Sequence, residues 1–187
     1  MSAIKQAMPN LAKHEGVWEG WYRTYDADGN KIDEHRSRLI CRFPGSGPFE
    51  YFQTNIYTWP DGRVETRDFP ATYKDGRIHW DNELITGWAA EVGLDTFNRT
   101  LMLNWVRKGE PNTYLYEMIN TSDCGKMRSR VWQWLDAGKL KIRTLIDEVK
   151  VSDSWEGLYQ IFRRCSLIAV ERINQKLFGL AVSITVF

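Results

Sequence analysis

The sequence has few cysteines and histidines, and their spacing excludes the common disulfide and metal sites. Its 187 residues include three of each. No CxxC pair, HExxH motif or EF-hand loop occurs, so no metal site is predicted. The cysteines are widely separated, at Cys41, Cys124 and Cys165. An odd number at wide spacing favours reduced thiols in a cytoplasm over a disulfide framework.

The sequence also lacks an excess of charge of one sign and a long apolar run. It has 25 Lys and Arg against 24 Asp and Glu, a formal net charge of +1, so no overall field attracts nucleic acid or an acidic membrane. Arginine clusters at 34–38 and 128–130 alternate with other residues, as on a solvated strand face. No stretch has the length of a signal peptide or a membrane span. We therefore predict a cytoplasmic protein with neither a nucleic-acid partner nor a membrane span.

Motifs for nucleotide binding and for nucleophilic catalysis are missing as well. Gly45-Ser46-Gly47 is neither a P-loop nor a GxGxxG fingerprint, and no GxSxG elbow occurs. Cys41 shares one face of a predicted strand with Leu39 and Phe43 and is predicted to be a core residue. No cofactor is predicted.

Aromatic residues, in contrast, are abundant, with nine Trp, eight Tyr and eight Phe. Such rings favour half-buried pleated surfaces and also stack on flat organic ligands. The composition therefore suits either a rigid β core or an aromatic-lined cavity.

Turn signals recur at near-regular intervals between residues 15 and 151. They include Asp28-Gly29, Pro60-Asp61-Gly62, Asp75-Gly76 and Ala137-Gly138, and about ten alternating strand candidates lie between them. This pattern favours an antiparallel meander, which closes to remove its unpaired edges. The predicted fold is an all-β, up-and-down barrel of about eight to ten strands over residues 1–152.

The chain changes character after Val151. Apolar residues recur at helical spacing between Ser154 and Lys176, and the pattern predicts an amphipathic helix followed by an apolar tail. The segment 153–187 is thus predicted to form a C-terminal helix and tail, through which a homo-oligomer could form.

The segment Gly16-Val17-Trp18-Glu19-Gly20 resembles the Gly-x-Trp signature that begins the first strand of lipocalins and other calycins. Segments 34–39, 53–62 and 143–148 look like those of a bacterial lipocalin-like group of uncharacterised function, and the similarity covers residues 11 to 151. The resemblance implies that Trp18 plugs the closed end of a barrel. It also implies a central cavity for a small, largely apolar molecule, in a fold that hosts carriers, haem proteins, lyases and isomerases.

If the face of Trp18 and Tyr22 points inward, neighbouring strands offer rings and polar tips to the lumen. The candidate ligand-binding residues are Gln53, Asn55, Trp80, Trp88, Trp105, Tyr116, Arg130 and Trp132. Rings with a few amide and guanidinium groups suit the orientation of a flat small molecule. For each residue taken singly, the alternative is that the ring or polar group only packs in the core.

An enzymatic alternative rests on His35, because imidazole is the side chain most often used for proton transfer near neutral pH. With Tyr22 or Tyr57 across the strand pair, it could serve as the acid or base of a cofactor-free lyase or isomerase. Glu117 and Asp147 are predicted on outer faces, so a two-carboxylate hydrolase is not indicated. The sequence leaves three functions open: binding of a small aromatic or hydrophobic molecule in the lumen, catalysis there, and interaction with a partner through the C-terminal segment.

Overall fold

The structure, a computed structural model, describes residues 2–110 and 112–156. Ten strands occur within this part of the chain: β1 (Gly16–Asp26), β2 (Lys31–Arg42), β3 (Tyr51–Thr58), β4 (Val64–Lys74), β5 (Arg77–Asp81), β6 (Ile85–Val92), β7 (Thr100–Arg107), β8 (Thr113–Thr121), β9 (Met127–Asp136) and β10 (Lys139–Ser152). Each pairs antiparallel with its sequence neighbours, and β10 pairs with β1 to close the barrel. The predicted up-and-down barrel is confirmed. The C-terminal helix and tail predicted for 153–187, with any oligomer contact through them, lie outside the described residues except for 153–156.

Two of the predicted turns show why the chain reverses direction where it does. Asp75 and Gly76 both have positive φ angles, 52° and 76°, and so do Ala137 and Gly138, at 48° and 79°. Two successive residues with positive φ match the right-handed twist of the flanking strands in a two-residue hairpin. These turns link β4 to β5 and β9 to β10.

Alternation along the first two strands points one face into the barrel, as the sequence predicts. Trp18 and Tyr22 of β1 are 0% and 1% exposed. On β2, the residues that share the inward face are all buried: His35, Ser37, Leu39 and Cys41. Tyr22 stands opposite His35 in the β1–β2 register, which brings the two strands' rings together. The expected burial of Trp18 and of Cys41 is confirmed.

Two short helices that the sequence did not predict precede the barrel, α1 (Ala3–Ala7) and α2 (Pro9–Ala12). They bury Ile4, Met8 and Leu11 in the barrel core, at the end where β1 and β7 begin. The carboxylate of Glu91 on β6 accepts hydrogen bonds from the backbone N–H groups of Asn10 and Leu11, at 2.6 and 2.8 Å. These bonds satisfy two donors at the start of α2 that have no partner within the helix.

Neither helix approaches the length and hydrophobicity that a membrane-crossing helix needs, and residues 2–110 and 112–156 contain no other candidate.

Candidate functional site

The barrel encloses an inner cavity of about 60 Å³ with a largely apolar wall. Seven of its ten strands and the helix α2 contribute to the wall. Aromatic and aliphatic side chains make up most of it, among them Phe69, Ile78, Trp80, Leu103, Trp105 and Trp132. Because inward side chains come from every second position of a strand, the wall draws rings that are far apart in sequence into one chamber.

A second and larger cavity, the mouth cavity, has a volume of about 310 Å³ and lies at the end opposite the two helices. Phe69, Ile85, Trp105 and Trp132 line both cavities and form their common wall. The rest of the mouth wall combines apolar, polar and charged side chains: Tyr57, Leu84, Trp134, Leu135, Ile142, Thr113, Arg67, Arg107, Glu110 and Lys141. The volume of the mouth cavity reaches the lower end of the range for small-molecule pockets, about 300–1,000 Å³.

A chain of hydrogen bonds, the polar ladder, runs along the inward face of β3. The Tyr51 hydroxyl donates to Gln53 Oε1 at 2.9 Å, and Gln53 Nε2 donates to Asn55 Oδ1 at 2.8 Å. Asn55 Nδ2 then donates to the Tyr57 hydroxyl oxygen at 2.8 Å. Burial raises the pKa of both phenols, that of Tyr51 strongly, so both remain protonated at neutral pH. Each hydrogen bond of the ladder is therefore donated in the same direction, from the inner cavity toward the mouth.

Four charged side chains form a buried charge network on β8, β9 and β10. Arg130 donates to Glu117 at 2.5 Å, to Glu148 at 3.3 Å and to the Tyr22 hydroxyl at 2.9 Å, while Arg128 pairs with Glu148. The four side chains are at most 4% exposed. Burial alone would lower the pKa of Arg130, but Glu117, Tyr22 and Glu148 raise it well above its ordinary value. Two positive and two negative groups leave the network with no net charge.

The three residues of the enzymatic hypothesis are brought together near the mouth. The ring centroids of Tyr22, His35 and Tyr57 lie 5.1–5.4 Å apart. His35 Nδ1 lies 2.7 Å from Asp33 Oδ2, and Asp33 Oδ1 also accepts a hydrogen bond from Trp59 Nε1. Only Tyr57 of the three lines either cavity; the other two pack behind it, so His35 has no place on the cavity walls described here.

Six of the eight predicted ligand-binding residues line the inner cavity. They are Gln53, Asn55, Trp80, Trp105, Arg130 and Trp132. The other two face outward, contrary to prediction. Tyr116 is 47% exposed on the outer wall. Trp88 lies on the face of β6 opposite the cavity-lining Ile85 and Ala89, and the Arg77 guanidinium covers its ring at 4.2 Å.

Both errors have the same physical cause. Trp and Tyr carry a polar tip and cover outer sheet surface as readily as they enter a core. On β8 the inward face is instead formed by Leu115, Glu117 and Ile119. The prediction that Glu117 lies on an outer face was therefore wrong, and the prediction for Asp147, whose side chain is 74% exposed, is confirmed.

The solvated strand face expected for the arginine cluster at 128–130 is also wrong, because Arg128 and Arg130 are both buried. Sequence analysis missed further lumen residues, chiefly Tyr51, Phe69 and His14. The alternation of β3 places Tyr51 on the face of Gln53 and Asn55 and offered a signal for it. His14 precedes the first strand, where no alternation exists to place it.

No model of a known protein family matches the chain, and no curated protein matches it either. Solved structures do. A protein of unknown function from the DUF3598 family of Nostoc punctiforme matches with a TM-score of 0.59 at 17% identity, over 75% of this chain and 49% of that one. The chain thus spans about half the length of that protein.

Two further solved structures are similar over most of their own length. An S-type phycobiliprotein lyase from Guillardia theta matches with a TM-score of 0.58 at 13% identity, over 75% of this chain and 89% of the lyase. Rv2717c from Mycobacterium tuberculosis matches with a TM-score of 0.55 at 15% identity, over 80% and 98%. At these identities the similarity concerns the fold alone, a closed antiparallel barrel.

Proposed function

We propose that the protein binds a small aromatic or otherwise hydrophobic molecule in the barrel lumen. The inner and mouth cavities carry this proposal, because they are neighbours that share the lining residues Phe69, Ile85, Trp105 and Trp132. A flat guest would gain about 25 cal/mol per Å² of apolar burial. Each ring contact would add roughly 0.5–1.5 kcal/mol. Micromolar affinity, about 8 kcal/mol, is therefore within reach without a covalent step.

The test uses a neutral fluorescent probe, N-phenyl-1-naphthylamine, and two tryptophan substitutions on β7. Leu103 lines the inner cavity, whereas its neighbour Met102 lies on the opposite face of the strand. Leu103→Trp should fill the lumen and weaken probe binding at least tenfold. Met102→Trp adds the same ring outside the barrel and should leave the affinity within about twofold. Equal affinities in the two variants would place the probe on the outer surface and contradict lumen binding.

A second candidate is a cofactor-free lyase or isomerase that uses the same lumen. The observation that favours it is the hydrogen bond between His35 and Asp33, at 2.7 Å, directly behind Tyr57, whose ring contacts His35 and lines the mouth cavity. A carboxylate on one imidazole nitrogen is the usual way to orient a histidine that exchanges protons. The fold similarity to a protein named as a lyase supports keeping this candidate.

His35→Gln distinguishes the two candidates. This variant should still bind the ligand but should not convert it. Native mass spectrometry would identify the molecule that co-purifies with the variant. That molecule is then incubated with the unsubstituted protein. Conversion to a product supports catalysis, and an unchanged molecule after prolonged incubation supports binding alone.

A further inference from the structure

One ion pair of the buried charge network lies on the wall of the inner cavity. Arg130 on β9 and Glu117 on β8 both line this cavity, whereas the other pair, Arg128 with Glu148, lines neither cavity. Arg130 Nε donates to Glu117 Oε1 at 2.5 Å, and Arg130 Nη1 donates to Tyr22 and to Glu148. Within residues 2–110 and 112–156, this leaves Nη2 of the guanidinium and Oε2 of the Glu117 carboxylate without a hydrogen bond.

Both atoms reach the free space of the cavity. Among the described residues, the unpartnered side-chain atoms that are sealed from water include Arg128 Nη2, but neither Arg130 Nη2 nor Glu117 Oε2. The side chains of Arg130 and Glu117 keep 4% and 2% of their surface accessible, and the inner cavity is the space that both of them line. Because the Nε–Oε1 hydrogen bond joins the two groups, the cavity wall presents one donor and one acceptor side by side.

This arrangement selects for a ligand with the complementary pair of groups. A carbonyl oxygen can accept from Arg130 Nη2 while an N–H on the same carbonyl carbon donates to Glu117 Oε2, and an amide carries both. A carboxylate would accept from Arg130 but bring its negative charge against Glu117, and a cationic head group would meet the opposite conflict. Since the network has no net charge, an ionised head group would also be buried without a counter-charge, which is costly.

The volumes of the two cavities indicate which part of a ligand meets the ion pair. An engineered cavity of about 150 Å³ holds one benzene ring, so the inner cavity of about 60 Å³ takes a head group of a few atoms rather than a ring system. The neighbouring mouth cavity, of about 310 Å³, has room for the ring system. Phe69, Trp105 and Trp132 line both cavities, so a ring packed against them would point its head group toward Arg130 and Glu117.

We propose that the lumen ligand is a flat aromatic molecule with an uncharged carboxamide head group, whose carbonyl oxygen accepts from Arg130 Nη2 and whose N–H donates to Glu117 Oε2. This inference rests on the proposed lumen binding and names its ligand class. A hydrogen bond to a charged group is worth about tenfold or more in affinity. A ligand of the same shape without the N–H leaves Glu117 Oε2 against an apolar atom and should therefore bind more weakly.

The experiment compares probes that carry different planar head groups on the same naphthalene ring: 2-naphthamide, 2-acetylnaphthalene, 2-naphthoate and 2-naphthamidine. The amide offers a donor and an acceptor, and the ketone offers only an acceptor. The carboxylate offers acceptors with a negative charge, and the amidinium offers donors with a positive charge. Calorimetric titration of the full chain at neutral pH should give an affinity for 2-naphthamide at least about tenfold above that for each of the others.

Equal binding of the amide and the ketone would overturn the inference and leave lumen binding intact, because Glu117 would then accept nothing from the ligand. Tightest binding of the carboxylate or of the amidinium would overturn it as well, since one charge of the ion pair would then dominate. If none of these probes binds, the inference fails, and the titration with N-phenyl-1-naphthylamine shows whether lumen binding fails with it.

Glu117→Gln tests whether the carboxylate is the acceptor. The glutamine oxygen can keep the hydrogen bond from Arg130 Nε, so its NH₂ group takes the place of Oε2 and confronts the N–H of the ligand. The ratio of naphthamide affinity to acetylnaphthalene affinity should fall from about tenfold or more to about twofold or less.

Glu148→Gln is the matched control, because it removes the same charge from the same network at a residue that lines neither cavity. It should leave the affinity ratio within about twofold of its original value. A ratio that survives Glu117→Gln, or one that is lost equally in both variants, would overturn the direct contact with Glu117. If Glu117→Gln fails to fold, the comparison of the naphthalene probes decides.

Discussion

The indole Nε1 atom of Trp18 donates a hydrogen bond of 2.8 Å to the backbone carbonyl oxygen of His14. This bond joins the first barrel strand to the segment that follows α2. Arg128 lies over the same ring at 4.3 Å from its centroid, so the indole is enclosed on a face as well as at its polar edge. Trp18 therefore fills the barrel end at which Ile4, Met8 and Leu11 are also buried.

Replacing Trp18 by alanine should lower the free energy of unfolding by about 3–5 kcal/mol, the range for truncation of a large buried aromatic residue. Trp18→Phe keeps most of the apolar contact but leaves the His14 carbonyl without its donor, so it should cost less. Urea unfolding followed by circular dichroism measures both. Trp88→Ala, on the outer wall, is the control and should cost about 1 kcal/mol. Similar losses at positions 18 and 88 would contradict the closing role of Trp18.

The buried charge network predicts a strong dependence of stability on the balance of its charges. Arg130→Met removes the partner of Glu117 and leaves a carboxylate that is 2% exposed without its guanidinium. Removal of one member of a buried ion pair costs about 3–5 kcal/mol. Unfolding in guanidinium chloride should show a loss of this size.

The matched control is the double variant Arg130→Met with Glu117→Met. It removes both charges of the pair and leaves Arg128 with Glu148, so it should recover at least half of the loss. A double variant no more stable than Arg130→Met alone would mean that the unpaired Glu117 charge is not the cause, and that the guanidinium acts through its other contacts, with Tyr22 and Glu148.

His14 predicts how stability changes with pH. Burial lowers the pKa of this imidazole well below 6.5, and the positive charges of Arg128 and Arg130 lower it further. The folded protein therefore keeps His14 neutral, while the unfolded chain takes up a proton as the pH falls below about 6.5. The contribution of neutral His14 to the free energy of unfolding is complete above that pH. It is lost on acidification, by up to about 1.4 kcal/mol per pH unit.

The test is a series of urea unfolding curves between about pH 5 and pH 7, for the unsubstituted chain and for His14→Gln. Glutamine cannot titrate but can keep a polar contact with Thr121, whose hydroxyl lies 3.0 Å from the imidazole. The variant should show a shallower dependence on pH in this range. Parallel curves for the two proteins would show that His14 does not titrate on unfolding.

The fold follows from local signals in the sequence because a hairpin meander is built from them. Turn dipeptides such as Asp75-Gly76 set the reversals, and period-two alternation on β1 and β2 sets the inward face. The helices α1 and α2 have five and four residues, too few to show a helical period, and they were missed for that reason.

The candidate site is only partly predictable, because the inward face of β6 and β8 depends on neighbouring strands. Glu117 is buried only because Arg130, from the adjacent β9, supplies its counter-charge. The sequence of β8 alone contains no sign of that partner. Trp88 points outward because Gly87, beside it, must face the barrel interior opposite Trp105. Both choices are made by contacts across the sheet, which alternation within one strand does not reveal.

The position of Gly87 leads to the last prediction, which concerns the shape of the lumen wall. A Cβ atom at this position would lie 2.2 Å from the Cβ atom of Trp105 and 2.3 Å from the carbonyl oxygen of Asn104. One of these is a backbone atom, so no side-chain rotation relieves the contact and the strands must move apart. Gly87→Ala should therefore cost about 1–3 kcal/mol of stability. It should also displace Trp105, which lines both cavities.

The control is Gly93→Ala, where the nearest atom to the added Cβ is Asn98 Oδ1 at 3.9 Å. Thermal unfolding together with probe titration checks both effects. Since the shift of Trp105 changes the common wall of the two cavities, Gly87→Ala should weaken N-phenyl-1-naphthylamine binding, while Gly93→Ala leaves it unchanged. A Gly87→Ala protein with normal stability and normal affinity would show that close approach of β6 to β7 does not shape the lumen.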